Sequence, residues 1–261
     1  MSEHPYAGRI VWHDLMTTDP EKSKAFFAEL FGWTTEERDM HGGVTYTTLK
    51  TAGKPFGGLV PLEPDAGIPS HWISYVTTDD VDAFCARASD MGATIAVQPT
   101  DIPGVGRFAV VADAQGAWFS PFSEAERTPS IMPNPQAEPG QVVWSELMTS
   151  DPAAATAFYT RMFGWDSQVM DIGTGPYTLL QYSGIPVAGI GQKDPGMPVS
   201  AWTLYFEVEN IDASVENITS LGGTILFPPM HVPTVGFLSW ATDPAGAVFA
   251  LMQSDPPGTQ Q

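Results

Sequence analysis

The chain has few basic residues and almost no cysteine. It carries 11 Lys and Arg against 30 Asp and Glu, which gives a formal net charge of −19 at pH 7. Phosphate backbones and anionic membrane surfaces attract clustered cations, so we expect neither nucleic acid nor membrane among the partners. The single cysteine, Cys85, excludes an internal disulfide and a multi-cysteine zinc site. Its helical spacing from Val81 and Phe84 favours a buried core position.

Long apolar runs are missing as well. No stretch approaches the roughly 18 apolar residues of a membrane-spanning helix. The first ten residues, MSEHPYAGRI, have neither the basic nor the apolar region of a secretory signal, and we therefore expect a cytoplasmic protein. The 261 residues are 43% hydrophobic, which is enough for a large core. At roughly 100–200 residues per domain, this length predicts two domains.

The sequence is an internal duplication. RIVWHDLMTTDPEKSKAFFAELFGW at 9–33 and QVVWSELMTSDPAAATAFYTRMFGW at 141–165 share 12 of 25 positions without a gap. Later segments match at an offset of 130, as HWISYVTTDDVDAF at 71–84 does with AWTLYFEVENIDAS at 201–214. The proline-rich junction predicts an exposed linker. We therefore predict a first domain over 1–126, a linker over 127–140 and a second domain over 141–261.

Each copy predicts the order strand, helix, three strands, and then the same order again. Residues 9–16 alternate in polarity, as a strand does, and Asp19-Pro20 predicts the start of a helix that Gly32 ends. Strands are predicted at about 33–39, 44–50 and 54–61. A second round has a strand at 71–78, a helix from Asp80 to Met91, and strands near 94–97, 106–112 and 117–122.

The order and content of these segments resemble the vicinal oxygen chelate superfamily, which groups glyoxalases, bleomycin-resistance proteins and extradiol dioxygenases. DPEKSKAFFAELFGW and DPAAATAFYTRMFGW resemble the Asp-led helix of that family, and DAQGAWF and DPAGAVF resemble its last hairpin. The resemblance covers nearly the whole chain in tandem two-domain form. It implies an α+β fold in which paired βαβββ units curl around a U-shaped cavity in each domain.

The resemblance also implies where metal ligands would stand: on the first, fifth and last strands. These positions hold Trp12, Ile73 and Ser120 in the first copy, and Trp144, Thr203 and Ala250 in the second. The tryptophans and the isoleucine cannot bind a metal, the threonine would be a poor ligand, and all six positions depart from the ligands of the family. We therefore expect no metal and no other cofactor. A one-residue slip that brought in His13 and His71 would turn the whole strand over, so we expect these two histidines to be structural and partly exposed.

Strand alternation places Trp12, Asp14 and Met16 on one face of the first strand, and the resemblance directs that face to the cavity. The fifth strand adds tyrosines, while Trp72 and Trp202 are expected to face the helices. Arg107 is a cation near the predicted cavity and could pair with an anionic ligand, or it could be a surface residue. The predicted ligand-binding residues are Trp12, Met16, Tyr75, Arg107, Trp144, Met148, Tyr205 and Glu207.

Asp14 and Glu146 are the candidates for chemistry. Burial beside Trp and Met could raise the pKa of either acid, so that it acts as a general acid or base or binds a polar ligand group. Alternatively, each acid completes a buried hydrogen-bond network. An Asp in one copy and a Glu in the other indicate that side-chain length is tolerated, which favours binding or a structural role.

Three functions remain open from the sequence. The first is metal-free binding of a small apolar or aromatic molecule, as in the drug-sequestering members of the family that the chain resembles. The second is an enzyme of lyase, isomerase or dioxygenase type, either metal-free through Asp14 and Glu146 or with displaced metal ligands. The third is a structural role with filled cavities. The chain is expected to be a monomer, by pairing of its two domains, or a homodimer.

Overall fold

Each copy folds as two successive βαβββ units. The computed structural model describes residues 7–40, 44–63, 65, 67–125, 137–172 and 175–256. In the first copy the elements are β1 Ile10–Thr17, α1 Pro20–Phe31, β2 Thr34–Met40, β3 Val44–Thr51, β4 Lys54–Pro61, β5 His71–Thr77, α2 Val81–Asp90, β6 Thr94–Ile102, β7 Gly106–Ala112 and β8 Trp118–Glu124. In the second copy they are β9 Val142–Thr149, α3 Pro152–Phe163, β10 Asp166–Asp171, β11 Pro176–Tyr182, β12 Ile185–Gln192, β13 Ala201–Glu207, α4 Ile211–Ser220, β14 Thr224–Val232, β15 Gly236–Thr242 and β16 Val248–Ser254.

The strands form two sheets of eight. Their orders are β2-β3-β4-β1-β5-β8-β7-β6 and β10-β11-β12-β9-β13-β16-β15-β14. In each βαβββ unit the helix returns the chain so that the first strand pairs in parallel with the last strand, as β1 does with β4 and β5 with β8. These sheets and four helices confirm the predicted α+β class and the repeated units. Residues 127–136 of the predicted linker lie outside the described ranges, and the domain boundaries stay a prediction.

The first helix of each copy begins and ends where the sequence predicts. Asp19 caps α1 by accepting a hydrogen bond from the Lys22 backbone N–H at 3.2 Å, and Pro20 follows as the first helical residue. Gly32 ends the helix with φ 68°, a left-handed conformation that glycine adopts at little cost. Asp151, Pro152 and Gly164 repeat this arrangement around α3.

Contacts divide the chain into two compact units, and each unit takes residues from both copies. The first unit consists of the described residues of Met1–Trp12, Ile73–Pro133 and Ser145–Trp202. The second unit consists of those of His13–Trp72, Asn134–Trp144 and Thr203–Gln261. The helices α2 and α3 therefore belong to the first unit, and α1 and α4 to the second.

Each unit has its own aromatic core. In the first unit, Phe84 of α2 lies 5.0 Å from Phe163 of α3 between ring centroids. In the second unit, Phe27 of α1 stacks at 4.8 Å on Trp33. Each fully buried aromatic or aliphatic side chain of this kind contributes roughly 1.5–3 kcal/mol to folding. Cys85 is buried in the first core, as predicted, and burial raises the pKa of its thiol.

The tryptophan that follows the first helix in each copy bonds to the other copy. Trp165 Nε1 donates to the Gly8 carbonyl at 2.6 Å within the first unit, and Trp33 Nε1 donates to the Gly140 carbonyl at 2.8 Å within the second. Both glycines have φ near 80° and would bring a Cβ against the indole or its neighbours. The Phe-Gly-Trp sequence therefore helps to hold the two copies together.

Two predictions need correction. His13 is buried, with 8% of its surface exposed, rather than partly exposed, because it lies on the same side of the central strand β1 as the core residue Leu15. The strand predicted near 94–97 continues to Ile102, because shifts of register between Ile95 and Thr100 accommodate Pro99. His71 is partly exposed, as predicted, and its Nδ1 lies 2.8 Å from the Pro69 carbonyl oxygen.

None of the helices in the described ranges combines the length and the apolar character needed to cross a membrane.

Candidate functional site

Asp14, Tyr46 and Gly58 form a polar group on the side of the sheet that faces away from the helices. Leu15 of β1 lies in the core beside α1, so its neighbour Asp14 projects from the opposite face. Asp14 is 4% exposed and accepts a 2.6 Å hydrogen bond from the Tyr46 hydroxyl of β3. Gly58 of β4 stands between these strands and pairs with Asp14 on one side and Thr48 on the other.

The glycine is what lets the tyrosine reach the acid. A Cβ at Gly58 would overlap the Tyr46 hydroxyl and would lie 2.6 Å from Asp14 Oδ1. The Tyr46 side chain therefore crosses β4 over the backbone of Gly58. Any larger residue at this position would push the hydroxyl away from the carboxylate. We call Asp14, Tyr46 and Gly58 the first acid–tyrosine–glycine group.

The second copy repeats this group with Glu146, Tyr177 and Gly189. Gly189 of β12 pairs with Glu146 of β9, and a Cβ at Gly189 would overlap the Tyr177 hydroxyl. Glu146 is buried, with 9% of its surface exposed. We call these residues the second acid–tyrosine–glycine group. Each group lies entirely within one compact unit. The group of Asp14 belongs to the second unit, and the group of Glu146 belongs to the first unit.

The predicted residues beside the acids are half-buried. Trp12 and Met16 flank Asp14 along β1, and Trp144 and Met148 flank Glu146 along β9. Met148 pairs with Gly191, and a Cβ at Gly191 would lie 2.9 Å from the Met148 sulfur. Met16 pairs instead with Val60. The second copy therefore has less side-chain bulk beside its methionine than the first copy.

A row of aromatic rings extends across the second sheet. Tyr205 is 1% exposed, and its ring packs edge to face with Trp240, 5.6 Å away between ring centroids. Trp240 in turn packs edge to face with Phe227 at a centroid distance of 5.8 Å. Trp144 packs against the same cluster. Phe227 ends the row on edge strand β14 with 45% of its surface exposed. We call Trp144, Tyr205, Trp240 and Phe227 the second-copy aromatic face.

The first copy has a smaller group of rings at the matching strands. Tyr75 of β5 lies 6.3 Å from Phe108 and 5.9 Å from Phe122. The residues that correspond to Trp240 and Phe227 are Val110 and Val97. We call Tyr75, Phe108 and Phe122 the first-copy aromatic face. The two copies therefore present differently shaped apolar surfaces on these strands.

Glu207 and Arg107 are held by protein groups. Glu207 accepts hydrogen bonds from the Ser254 backbone N–H at 3.0 Å and from its hydroxyl at 2.6 Å. The Arg107 guanidinium donates to Asp82 at 2.7 Å and to Asp101 at 2.8 Å, and both acids are exposed. The assignment of these two residues to a ligand stays a prediction.

The positions that would carry metal ligands in the family do not fit an ion. The Ser120 hydroxyl donates to the Ala109 carbonyl at 2.7 Å, and Ile73 and Ala250 are buried apolar side chains. In the ranges that the structure describes, no three His, Cys, Asp or Glu side chains gather where they could share an ion. His13 is a poor ligand candidate because it lies on the helix side of β1, the same side as the core residue Leu15.

The last hairpin of each copy contains one buried carboxylate that the sequence analysis did not single out. Asp113 accepts backbone N–H bonds from Gln115 and Ala117, and a 3.1 Å bond from the Tyr159 hydroxyl of α3. Asp243 accepts from Ala245 and Ala247, and a 2.6 Å bond from the Ser23 hydroxyl of α1. Burial raises the pKa of both acids. Their bonds fix the turns and the helices, which is a structural role.

Sequence reasoning also missed the tyrosines and glycines of the two acid–tyrosine–glycine groups. The signal was present, because Tyr46 and Tyr177, and Gly58 and Gly189, are identical at an offset of 131. A glycine kept at the same place in two otherwise divergent strands indicates a close approach by another group. Trp240 and Phe227 gave no such signal, because valines replace them in the first copy.

Comparisons with known proteins agree with this architecture. The family model described as Glyoxalase/Bleomycin resistance protein/Dioxygenase superfamily matches residues 9–120 and 141–251. CFP32 of Mycobacterium tuberculosis, provisionally named a glyoxylase, is 31% identical over 94% of each chain. The anthracycline biosynthesis protein DnrV of Streptomyces peucetius is 30% identical over 94% of this chain and 93% of its own. A Mn(II)-bound glyoxalase from Novosphingobium aromaticivorans has a similar fold at 16% identity, with a TM-score of 0.62 over 98% of this chain and 86% of its own.

Proposed function

Because the chain belongs to the glyoxalase/bleomycin resistance protein/dioxygenase superfamily, we propose that it is a small-molecule binding protein of that superfamily. It binds an apolar or aromatic molecule without a metal. The observation that carries the proposal is the repeated pairing of a buried carboxylate with half-buried Trp and Met on the first strand of each copy. The aromatic side chains supply contact area, and the carboxylate supplies one directional polar contact.

The second-copy aromatic face supports an aromatic ligand. Trp240 and Phe227 are already packed edge to face, and their remaining exposed surface can stack on a planar ring. A stacked or edge-to-face pair of rings contributes about 0.5–1.5 kcal/mol beyond the burial of its area. The name of the relative DnrV, an anthracycline biosynthesis protein, supports the same ligand class.

The carboxylates favour a neutral or cationic ligand. Asp14 and Glu146 stand two residues after Trp12 and Trp144 on β1 and β9, and the chain carries a net charge of −19. An anionic ligand would meet repulsion from both sources. A neutral ligand with a hydroxyl or amino group would instead donate a hydrogen bond to the carboxylate, which contributes roughly 1.5–3 kcal/mol when one partner is charged.

Titration calorimetry with 2-naphthol and a hydroxyanthraquinone tests the proposal. We expect the wild type to bind at least one of them, and we expect Trp144→Ala or Trp12→Ala to weaken binding about tenfold, since each removes an aromatic contact beside an acid. Phe237→Ala is the matched control. Phe237 is a 39% exposed ring of β15 whose neighbours Trp240 and Leu238 lie on the other face. No binding by the wild type, or equal loss in the control, would contradict the proposal.

A metal-free enzyme is the second candidate, and the hydrogen bond between Tyr46 and Asp14 favours it. A buried acid held by a tyrosine could move a proton to or from a bound ligand. Turnover of a bound probe, followed by mass spectrometry, separates this candidate from binding alone. Loss of turnover in Asp14→Asn and Glu146→Gln, with binding of the probe retained, would favour the enzyme.

A further inference from the structure

We infer that Tyr46 and Tyr177 are positioning residues, which orient the carboxylates of Asp14 and Glu146 toward a hydrogen-bond donor of the ligand. Gly58 and Gly189 are required for this role, because they leave the space that the tyrosine hydroxyls occupy. The inference rests on the proposed function. It adds a specificity rule: each copy selects ligands that carry a hydroxyl or amino donor over analogues that lack one.

The geometry of the first group carries the argument. Asp14 is 4% exposed, and a buried carboxylate needs hydrogen-bond donors to remain in place. The Tyr46 hydroxyl bonds to Asp14 Oδ1 at 2.6 Å, a length typical of a bond to a charged oxygen. This bond fixes the rotation of the carboxylate about its last torsion, and so fixes the direction of the second oxygen, Oδ2.

The glycines show that this arrangement is specific and repeated. At both Gly58 and Gly189, an added Cβ would overlap the hydroxyl of the tyrosine that crosses the strand. Each glycine is the residue paired with the acid of the neighbouring strand, Asp14 in one copy and Glu146 in the other. The acid differs in length between the copies, whereas the tyrosine and the glycine do not. The tyrosine and glycine are therefore the constant part of the group.

A positioned carboxylate discriminates between ligands in a way that an apolar surface cannot. A site that directs an acceptor at the ligand binds an analogue without the donor less tightly, because the analogue displaces water from the acceptor and returns no hydrogen bond. An apolar surface binds both analogues to a similar extent. A tyrosine that only stabilised the fold would change the binding of both analogues equally, or of neither.

The test compares 2-naphthol, which carries a hydroxyl donor, with 2-methoxynaphthalene, which does not. Affinities of both are measured by calorimetry for the wild type, for Tyr46→Phe/Tyr177→Phe and for Gly58→Ala/Gly189→Ala. Because both copies are changed at once, the result does not depend on which copy binds the probe. Asp14→Asn/Glu146→Gln gives the loss expected when the carboxylates themselves are removed. Tyr182→Phe, which removes a hydroxyl from a ring packed on the first core, is the control.

We expect the wild type to bind 2-naphthol more tightly than 2-methoxynaphthalene. In the tyrosine and glycine variants we expect the ratio of the two affinities to fall about tenfold. Affinity for 2-methoxynaphthalene should stay close to the wild-type value, as should the preference of Tyr182→Phe. If the wild type binds and the tyrosine variant keeps its preference, the positioning role is wrong while the proposed function stands. If the wild type binds neither probe nor the hydroxyanthraquinone, the proposed function and this role are both overturned.

If the glycine variant does not fold, the tyrosine variant still decides the matter, because it removes only two hydroxyl oxygens.

Discussion

In each compact unit a helix hydroxyl bonds to the buried aspartate of the last hairpin, but the two units use different residues to supply it. In the first unit, Tyr159 of α3 donates to buried Asp113 and accepts a 2.9 Å bond from Trp202 Nε1. In the second unit, Ser23 of α1 donates to buried Asp243 and lies 2.9 Å from the Thr17 hydroxyl. When the copies are aligned, Phe27 stands at the position of Tyr159, and Ala155 stands at that of Ser23. The donor has therefore moved by one helical turn.

This difference shows which part of the arrangement is constant. The aspartate keeps its place because its backbone bonds close the last hairpin, whereas the helix can supply a hydroxyl from either of two adjacent turns. The exchange leaves one trace. Trp72, the counterpart of Trp202, is 5% exposed, and its Nε1 has no hydrogen-bond partner in the described part of the second unit. Substitutions that exchange the residues of the two units can therefore remove a helix hydroxyl from either unit or add one to the second.

The largest expected effect comes from His13, which is Ser145 in the other copy. Burial lowers the pKa of His13 to about 4 in the folded protein, from 6.5 in the unfolded chain. Between these values the unfolded state binds the proton more tightly than the folded state. The stability that the neutral imidazole of His13 contributes is therefore complete above pH 6.5 and is lost as the pH falls toward 4. We expect His13→Gln to reduce the pH-dependent loss by about 3 kcal/mol at pH 4.

Urea unfolding of the wild type and of His13→Gln at pH 7 and at pH 4 measures this difference. His71→Gln is the control, since His71 is partly exposed. Equal pH dependence in the wild type and His13→Gln would contradict the account.

Tyr159→Phe breaks the chain of bonds in the first unit and copies the residue of the second unit. It removes the hydroxyl that donates to Asp113 Oδ2 and accepts from Trp202 Nε1. We expect a loss of about 2 kcal/mol in the free energy of unfolding. Urea denaturation measures it. A loss within about 0.5 kcal/mol of zero, the range of ordinary surface substitutions, would show that the Asp113–Tyr159–Trp202 bonds contribute little.

Ser23→Ala breaks the corresponding link in the second unit and copies Ala155. Asp243 retains its two backbone donors but loses its bond to the helix, and we expect a loss of about 1.5 kcal/mol. The measurement is again the midpoint of urea unfolding. Ser214→Ala, at a half-buried serine of α4 that bonds only within its own helix, should change the midpoint much less. Equal changes in both variants would mean that the Ser23 bond is not special.

Phe27→Tyr gives the smallest effect and sharpens the comparison most. It places in the second unit the hydroxyl that Tyr159 supplies in the first, next to Trp72 Nε1. We expect a gain of about 1 kcal/mol, because a buried donor acquires a partner. The thermal midpoint should rise. A fall would indicate that the second core has no room for the oxygen, which would contradict the equivalence of the two units.

The sequence predicts the elements of the fold well because the copies check each other. The cap at Asp19, the stop at Gly32 and the cores around Phe27 and Phe84 follow from short-range patterns that occur twice. The pairing of tyrosine with acid across a glycine could not be derived, because it depends on the register between three strands. The burial of His13 depends on the neighbours of a central strand, which the sequence of one strand does not contain.

The central claim is that the protein binds its ligand without a metal, and one titration tests it most directly. 2-Naphthol is titrated by calorimetry into protein dialysed against EDTA and into untreated protein. The account predicts the same affinity in both, because Trp12, Trp144 and their neighbouring acids make the contacts. Loss of binding after EDTA, with recovery on addition of a stoichiometric divalent metal, would contradict it.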